Sequence, residues 1–234
     1  MNVRRIARIV GAATVALGAM ALGAPAASAQ PCPDVQVVFA RGTGEPPGVG
    51  GVGQAFVDAV RAQAGAKTVD VYAVDYPASS DFADQLAFAG TVVDGIRDAG
   101  SHVQAMAANC PATRIVLGGY SQGAVVAGFV TSAEVPAGVP AEYASYIPKP
   151  LPTSVADHVA AVALFGTPSD VFLRDYGAPP IVIGPAYAGK TTELCAPGDT
   201  ICDGTVGGGP TIAHAMYPMN GMVDQAAAFT ASRL

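Results

Sequence analysis

The sequence predicts an α/β fold, a three-layer sandwich with a central parallel sheet and helices on both faces. Three observations lead there. Segments of strand and helix character alternate along the chain, the signature of strands joined by helical crossovers. The run Val159-Ala-Ala-Val-Ala-Leu164-Phe165 is apolar throughout, as a strand covered on both faces must be. The apolar run 113–118 leads into Gly119-Tyr120-Ser121-Gln122-Gly123, a G-x-S-x-G turn between a buried strand and a helix.

The elements follow in order. Residues 34–40 read as a first strand and 69–76, rich in β-branched residues, as a second. Between them, 54–64 is apolar at helical spacing. A long helical pattern spans about 85–108, the strand at 113–118 follows, and a helix runs through 124–132. Strands at 159–165 and, shorter, 191–194 complete a sheet of about five. The last helix spans about 222–232, after an Asn220-Gly221 turn. Residues 134–156 carry five prolines and 166–190 four more, and both segments read as loops. Loops this long in a compact domain are functional or ordered by their own packing.

Residues 1–29 read as a signal peptide. Arg4, Arg5 and Arg8 precede an apolar stretch from Ile9 to Leu22, and Ala27-Ser28-Ala29 offers a cleavage site. The stretch is short for a membrane anchor and is followed at once by small residues. A secreted or cell-wall-associated protein is therefore expected, with residues 30–234 as one domain of about 205 residues. That domain has nine basic against eighteen acidic residues, a net charge of −9. An acidic surface without a basic cluster is a poor partner for nucleic acid. No later segment is apolar enough for stable membrane insertion, and a monomer is expected.

Cys32, Cys110, Cys195 and Cys202 form an even set in an exported chain, which points to two disulfides. Three connectivities are possible. Cys195 and Cys202 are near enough to close a small loop, leaving Cys32 for Cys110. No pair has the C-x-x-C spacing of a zinc site.

Ser121 at the tight turn is a candidate nucleophile. A serine hydroxyl needs a base, and the base an acid to fix its tautomer. On such a sheet the acid and then the histidine follow the serine. His102 precedes it and reads as a solvated helix residue. His158 begins the strand 159–165, at the wrong, amino-terminal end of the sheet. His214, in Pro210-Thr-Ile-Ala-His214, is the base by order and elimination. Asp199, in Cys195-Ala-Pro-Gly-Asp199-Thr-Ile-Cys202, is the expected acid, with Asp203 its rival. The oxyanion is expected to meet the backbone N–H of Gln122 and that of Thr43, in the loop after the first strand. Ile181, Val182, Ile183, Ile212, Met216 and Met219 are expected to line an acyl groove.

Gly48-Val-Gly50-Gly-Val-Gly53 matches G-x-G-x-x-G, with Asp75 about 20 residues on. A dinucleotide site would have this pattern. The glycines begin several residues after the strand, across Pro46-Pro47, and an exported protein meets few dinucleotides. A flexible loop leading into a helix is expected instead.

Together these residues resemble the cutinase family, in its actinobacterial, mycobacterial-type branch of secreted esterases. The markers are Val38-Phe-Ala-Arg-Gly-Thr43-Gly-Glu-Pro-Pro, Gly118-Gly-Tyr-Ser121-Gln-Gly-Ala124, the cysteine-bracketed Asp199 and the following His214. The resemblance implies a small cutinase-like α/β-hydrolase with no large lid, a Ser121–His214–Asp199 triad and an oxyanion hole of Thr43 and Gln122. It implies disulfides Cys32–Cys110 and Cys195–Cys202, and no metal or cofactor. It implies hydrolysis of short- to medium-chain acyl esters, polyesters or glycerolipids. Thr43 stands where fungal cutinases typically carry serine, and the segment 77–84 is shorter than the fungal flap. An acetylxylan-esterase-like enzyme is the alternative, and a non-catalytic secreted binding protein a remoter one.

Overall fold

The computed structural model describes residues 31–137, 139 and 142–234. The expected signal peptide, residues 1–29, lies outside them. Five parallel strands form one sheet: β1 (Val35–Ala40), β2 (Val69–Ala73), β3 (Arg114–Tyr120), β4 (Val159–Phe165) and β5 (Thr191–Leu194), in the order β2-β1-β3-β4-β5.

Side chains alternate across the pleat, which divides the core in two. Val35, Val37 and Phe39 of β1 pack with Val116, Ala163 and Phe165 under α1 (Gly50–Gln63) and α8 (Met222–Ala231). Val38 and Ala40 pack with Ile115, Leu117, Val162 and Leu164 under α2 (Gln85–Asn109) and α3 (Gln122–Val130). Both faces are therefore covered, the cause of the unbroken apolar runs in β1 and β4. Alternation fails once: Val159 and Val162 share a face, and the β3–β4 register shifts between Ile115 and Val116. That bulge absorbs the extra residue.

Local chemistry sets several element ends. The Asp84 carboxylate accepts from the Ala87 N–H and starts α2. Gly221, with φ of 83°, makes the expected turn into α8. Two loops carry short helices that their composition did not announce: α4 (Thr153–Ala156) in the first, and α5 (Asp170–Asp175) and α6 (Pro185–Ala188) in the second. A further short helix, α7 (Ile212–Ala215), precedes α8. Cys32 is bonded to Cys110 and Cys195 to Cys202.

Two expectations are corrected. His102 is half-buried rather than solvated: its ring stacks on Tyr72 at 3.5 Å and its Nε2 lies 2.8 Å from Gln36 Oε1. The first helix begins at Gly50, not Gln54, because the Glu45 carboxylate accepts from the N–H groups of Gly51 (2.8 Å) and Gly42 (2.6 Å). The chain's own anion thus occupies the helix N-terminus where a dinucleotide would set its pyrophosphate.

Strand order reverses at β1, with β2 on one side and β3 on the other. In open parallel sheets the crevice beyond the strand ends at such a point is where ligands bind.

Candidate active site

Two sharp turns leave the carboxyl ends of β1 and β3. After β3, Ser121 adopts φ 54° and ψ −117°, a left-handed backbone that side chains disfavour. The glycines flanking it are there for space. A Cβ on Gly119 would lie 2.0 Å from the Gly123 carbonyl oxygen, and one on Gly123 would lie 2.0 Å from that of Ala40. With both absent, α3 sits tightly against β1 and β3, and the Ser121 carbonyl accepts the first helical bonds from Ala124 and Val125.

The structure brings three of the predicted side chains together. Ser121 Oγ lies 2.9 Å from His214 Nε2. His214 Nδ1 lies 2.8 and 3.0 Å from the two carboxylate oxygens of Asp199. A carboxylate only accepts, so Nδ1 carries the proton and the bare Nε2 accepts from the serine hydroxyl. All three residues are buried, Asp199 completely.

Asp199 is held from several sides. Its Oδ2 accepts from the Tyr217 hydroxyl (2.7 Å), its Oδ1 accepts from the Ile201 N–H (3.2 Å), and the Cys195–Cys202 bridge closes its loop. Burial is the largest influence on its carboxyl and pushes the pKa up. The hydrogen bonds from His214 and Tyr217, the electrostatic pull of the neighbouring His214 ring and the Ile201 N–H together outweigh it, and the pKa falls below its usual value. Burial and the Asp199 charge push the Tyr217 hydroxyl well above the usual phenol range, so it remains a donor. Tyr217 carries no motif and sequence reasoning missed it. So too with Tyr120, whose hydroxyl donates to the His214 carbonyl at 2.7 Å and fixes α7.

The other candidates sit elsewhere. Asp203 makes a local turn, its carboxylate accepting from the Thr205 N–H. His158 sits at the amino end of β4, its Nδ1 3.1 Å from the Pro111 carbonyl.

Thr43 and Gln122 line the same cavity as Ser121 and His214. The loop bearing Thr43 is braced from below by Arg41, a buried cation with no carboxylate partner among the described residues. Its Nε donates to the Glu45 carbonyl (2.8 Å) and a terminal nitrogen to the Tyr76 carbonyl (2.5 Å), while the Tyr76 hydroxyl donates back to the Arg41 carbonyl. The Gln122 side chain donates to the Ser79 carbonyl at 3.2 Å and so tethers the segment 77–84 beside the site.

The expected groove is not where the cavity lies. Ile181 packs on Gly128 of α3, Ile183 joins the core under α2 and α3, and Val182, Ile212 and Met219 point to solvent, Ile212 being 82% exposed. None of these, nor Met216, lines the cavity. Its apolar walls come from α2, α3, α5 and the proline-rich segment after α3. Hydropathy along a helix such as α2 does not distinguish a core from a ligand cavity.

The sequence profile described as Cutinase matches residues 31–234. The chain belongs to the cutinase family. This cutinase is 60% identical over 172 residues to the "Probable carboxylesterase Culp7" of Mycobacterium tuberculosis, covering 74% of this chain and 88% of the relative. It is 48% identical to the "Carboxylesterase Culp1" of the same species, covering 100% and 98%. Among solved structures it is similar to the Trichoderma reesei cutinase in complex with a C11Y4 phosphonate inhibitor. That match has a TM-score of 0.63 and 32% identity over 86% of this chain and 77% of that one. It is also similar to the catalytic core domain of acetyl xylan esterase from Trichoderma reesei, with a TM-score of 0.68 and 26% identity over 87% and 100%. With the five-stranded parallel sheet, these matches establish an α/β-hydrolase fold and a carboxylic ester hydrolase.

Proposed function

We propose that this cutinase cleaves acyl esters through a covalent acyl-enzyme on Ser121, with His214 as base and Asp199 as its orienting acid. The distance that carries the proposal is the 2.9 Å between Ser121 Oγ and His214 Nε2, with Nδ1 held 2.8 Å from Asp199 on the far side of the ring. Ser121 Oγ attacks the ester carbonyl carbon while its proton passes to Nε2. The backbone N–H groups of Thr43 and Gln122 receive the oxyanion. The imidazolium, stabilised by the charged Asp199, returns the proton to the alcohol oxygen as the carbon–oxygen bond breaks. Water then attacks the acyl-serine, giving its proton to Nε2, and the acid leaves. No step calls on a metal or cofactor.

The proposed substrates are short- to medium-chain acyl esters, polyesters or glycerolipids. Residues 1–29 are proposed to direct export and residues 30–234 to act outside the cell. No helix among the described residues is long and apolar enough to cross a membrane. An acetyl-specific carbohydrate esterase is the less favoured reading, since the cavity beside Ser121 is mostly apolar.

The test is Ser121→Ala, measured on p-nitrophenyl butyrate with a phosphonate as active-site label. The variant is expected to fold, to lose at least about a thousandfold in kcat and to take no label. Retained turnover in a folded Ser121→Ala protein overturns the mechanism.

A further inference from the structure

Among the described residues only two that bear a side chain have a positive φ, Ser121 at 54° and Ala78 at 49°. Ser121 is the proposed nucleophile. Ala78 carries no reactive group and is buried. A left-handed backbone is disfavoured at alanine, and it persists only where the surroundings hold it. Its effect is to aim the Ala78 carbonyl, which accepts from the Gly44 N–H at 2.7 Å. Gly44 follows Thr43 in the loop after β1.

The residues on either side of Ala78 are bonded to the same place. The Tyr76 carbonyl accepts from Arg41 Nη2 at 2.5 Å, and the Tyr76 hydroxyl donates to the Arg41 carbonyl. Burial pushes the Tyr76 pKa well above the usual phenol range, against the pull of the Arg41 guanidinium, so the hydroxyl remains a donor. The Ser79 carbonyl accepts from Gln122 Nε2 at 3.2 Å. A carbonyl only accepts, so the amide nitrogen must face Ser79. That leaves Gln122 Oε1 buried and without a partner among the described residues, a cost to stability that the tether imposes.

Residues 76–79 therefore join the two turns that bear the proposed oxyanion donors. Their bonds to Arg41 and Gly44 fall on either side of Thr43, and their bond to Gln122 lies at the start of α3. An oxyanion is held only where both N–H groups converge on one point. The strands β1 and β3 carry these turns separately, and the segment past the end of β2 touches both.

Resting on the reading of Ser121 as nucleophile, we propose that Tyr76, Ala78 and Ser79 are positioning residues, a template that sets the distance between the N–H groups of Thr43 and Gln122. None of the three lines the cavity, so their effect on turnover passes through the two donors. The left-handed backbone at Ala78 is what lets three residues so close in the chain reach both turns.

The experiment measures turnover of p-nitrophenyl butyrate per phosphonate-titrated site, with butylboronic acid as inhibitor. That acid adds reversibly to Ser121: Oγ bonds to boron, the hydroxyl proton passes to His214, and one oxygen of the negatively charged tetrahedral boron takes the oxyanion's place. Tyr76→Phe keeps the ring and deletes the bond to the Arg41 carbonyl. Loss of an oxyanion donor lowers rate about a hundred- to a thousandfold, so a displaced pair should lower kcat at least about tenfold, leave KM within about twofold and weaken butylboronic acid by the same factor as kcat. Gln122→Ala keeps the N–H at that position, deletes the bond to Ser79 and should also weaken butylboronic acid. Combined, the two substitutions should lose less than the product of their separate losses, since both free one template. Ala78→Val, whose branched side chain resists a left-handed backbone, should lose more activity than Ala78→Gly, which adopts it freely. A lower Tm with kcat and butylboronic acid affinity per titrated site unchanged in Tyr76→Phe would reduce the segment to a structural brace and overturn the proposal, as would losses that multiply. Wild type that takes no phosphonate label would instead sink the nucleophile reading.

Discussion

The Tyr217 hydroxyl lies 2.7 Å from Oδ2 of Asp199, the same oxygen that stands 2.8 Å from His214 Nδ1. The tyrosine is fully buried and its oxygen also accepts from the Ala196 N–H at 3.0 Å. It therefore couples the disulfide-bracketed loop to the carboxylate that, in the proposed mechanism, steers the base. Tyr217→Phe leaves the carboxylate short of one donor and the Ala196 N–H unpaired. A hydrogen bond to a charged group contributes about 1.5–3 kcal/mol, so urea unfolding should register a loss of that order. Because Asp199 gains freedom, kcat should fall about tenfold with little change in KM. Unaltered kcat would mean that His214 and the bridge hold Asp199 without the phenol.

The two disulfides should separate stability from catalysis. Cys32 and Cys110 are 78 residues apart and join the chain just before β1 to the turn before β3, at the amino ends of the strands, whereas Cys195 and Cys202 are 7 apart and enclose Asp199. Loop-closure entropy gives the long loop about 4.5 kcal/mol and the short one about 2.4 kcal/mol as upper figures. Cys32→Ser/Cys110→Ser should lower Tm the more and leave kcat of the folded enzyme near wild type. Cys195→Ser/Cys202→Ser should lower Tm less and kcat more. The reverse ordering in either measurement contradicts this division.

Glu45 fastens the loop that carries Thr43 through its bonds to the Gly42 and Gly51 N–H groups. Glu45→Ala frees both donors and loosens the expected oxyanion position. A displacement of about 1 Å can lower rate about a hundredfold, so kcat should drop by one to two orders while phosphonate labelling slows in parallel. Glu45→Gln keeps one acceptor and should recover part of the rate. Equal losses in the two variants would point to the charge rather than the geometry.

His102 gives a pH signature in stability. Burial is the main cause that lowers its pKa, opposed by the charges of Asp98 and Asp70. The folded value is thus below the unfolded one of about 6.5. Between the two, the unfolded chain holds more protons, so stability declines as pH falls from about 6.5 and levels off below the folded value. His102→Phe keeps the stack on Tyr72 and should remove that decline, adding only a pH-independent offset from the unpaired Gln36. Parallel wild-type and variant curves of unfolding free energy between pH 5 and 7.5 would refute it.

How much of this was legible depended on which physical signal each residue carries. Strand β4 was read to the residue because burial on both faces leaves an unbroken apolar run. The turn at Ser121 was legible because steric crowding between β1, β3 and α3 admits only glycine at 119 and 123. Pairing of Cys195 with Cys202 followed from proximity. Other features lacked such a mark. The start of α1 is set by a side-chain carboxylate folding back from Glu45, which periodicity does not register. Tyr217 and Tyr120 act through single hydroxyls, with no pattern around them. The cavity was misplaced onto Ile181–Ile183 and Ile212 because apolar residues in loops look more available than those in helices. Yet the apolar residues that line the cavity include Leu86, Phe88 and Val92 in the first turns of α2, a helix whose later turns pack on the core.

The backbone at Ser121 has a consequence for robustness. A left-handed conformation at a residue with a side chain is unfavourable by about 1–3 kcal/mol, and glycine adopts it freely. Ser121→Gly should therefore melt at a higher temperature than the active protein, by a few degrees. Under the proposed mechanism the hydroxyl is kept at the expense of thermal endurance, because Ser121 supplies the attacking oxygen.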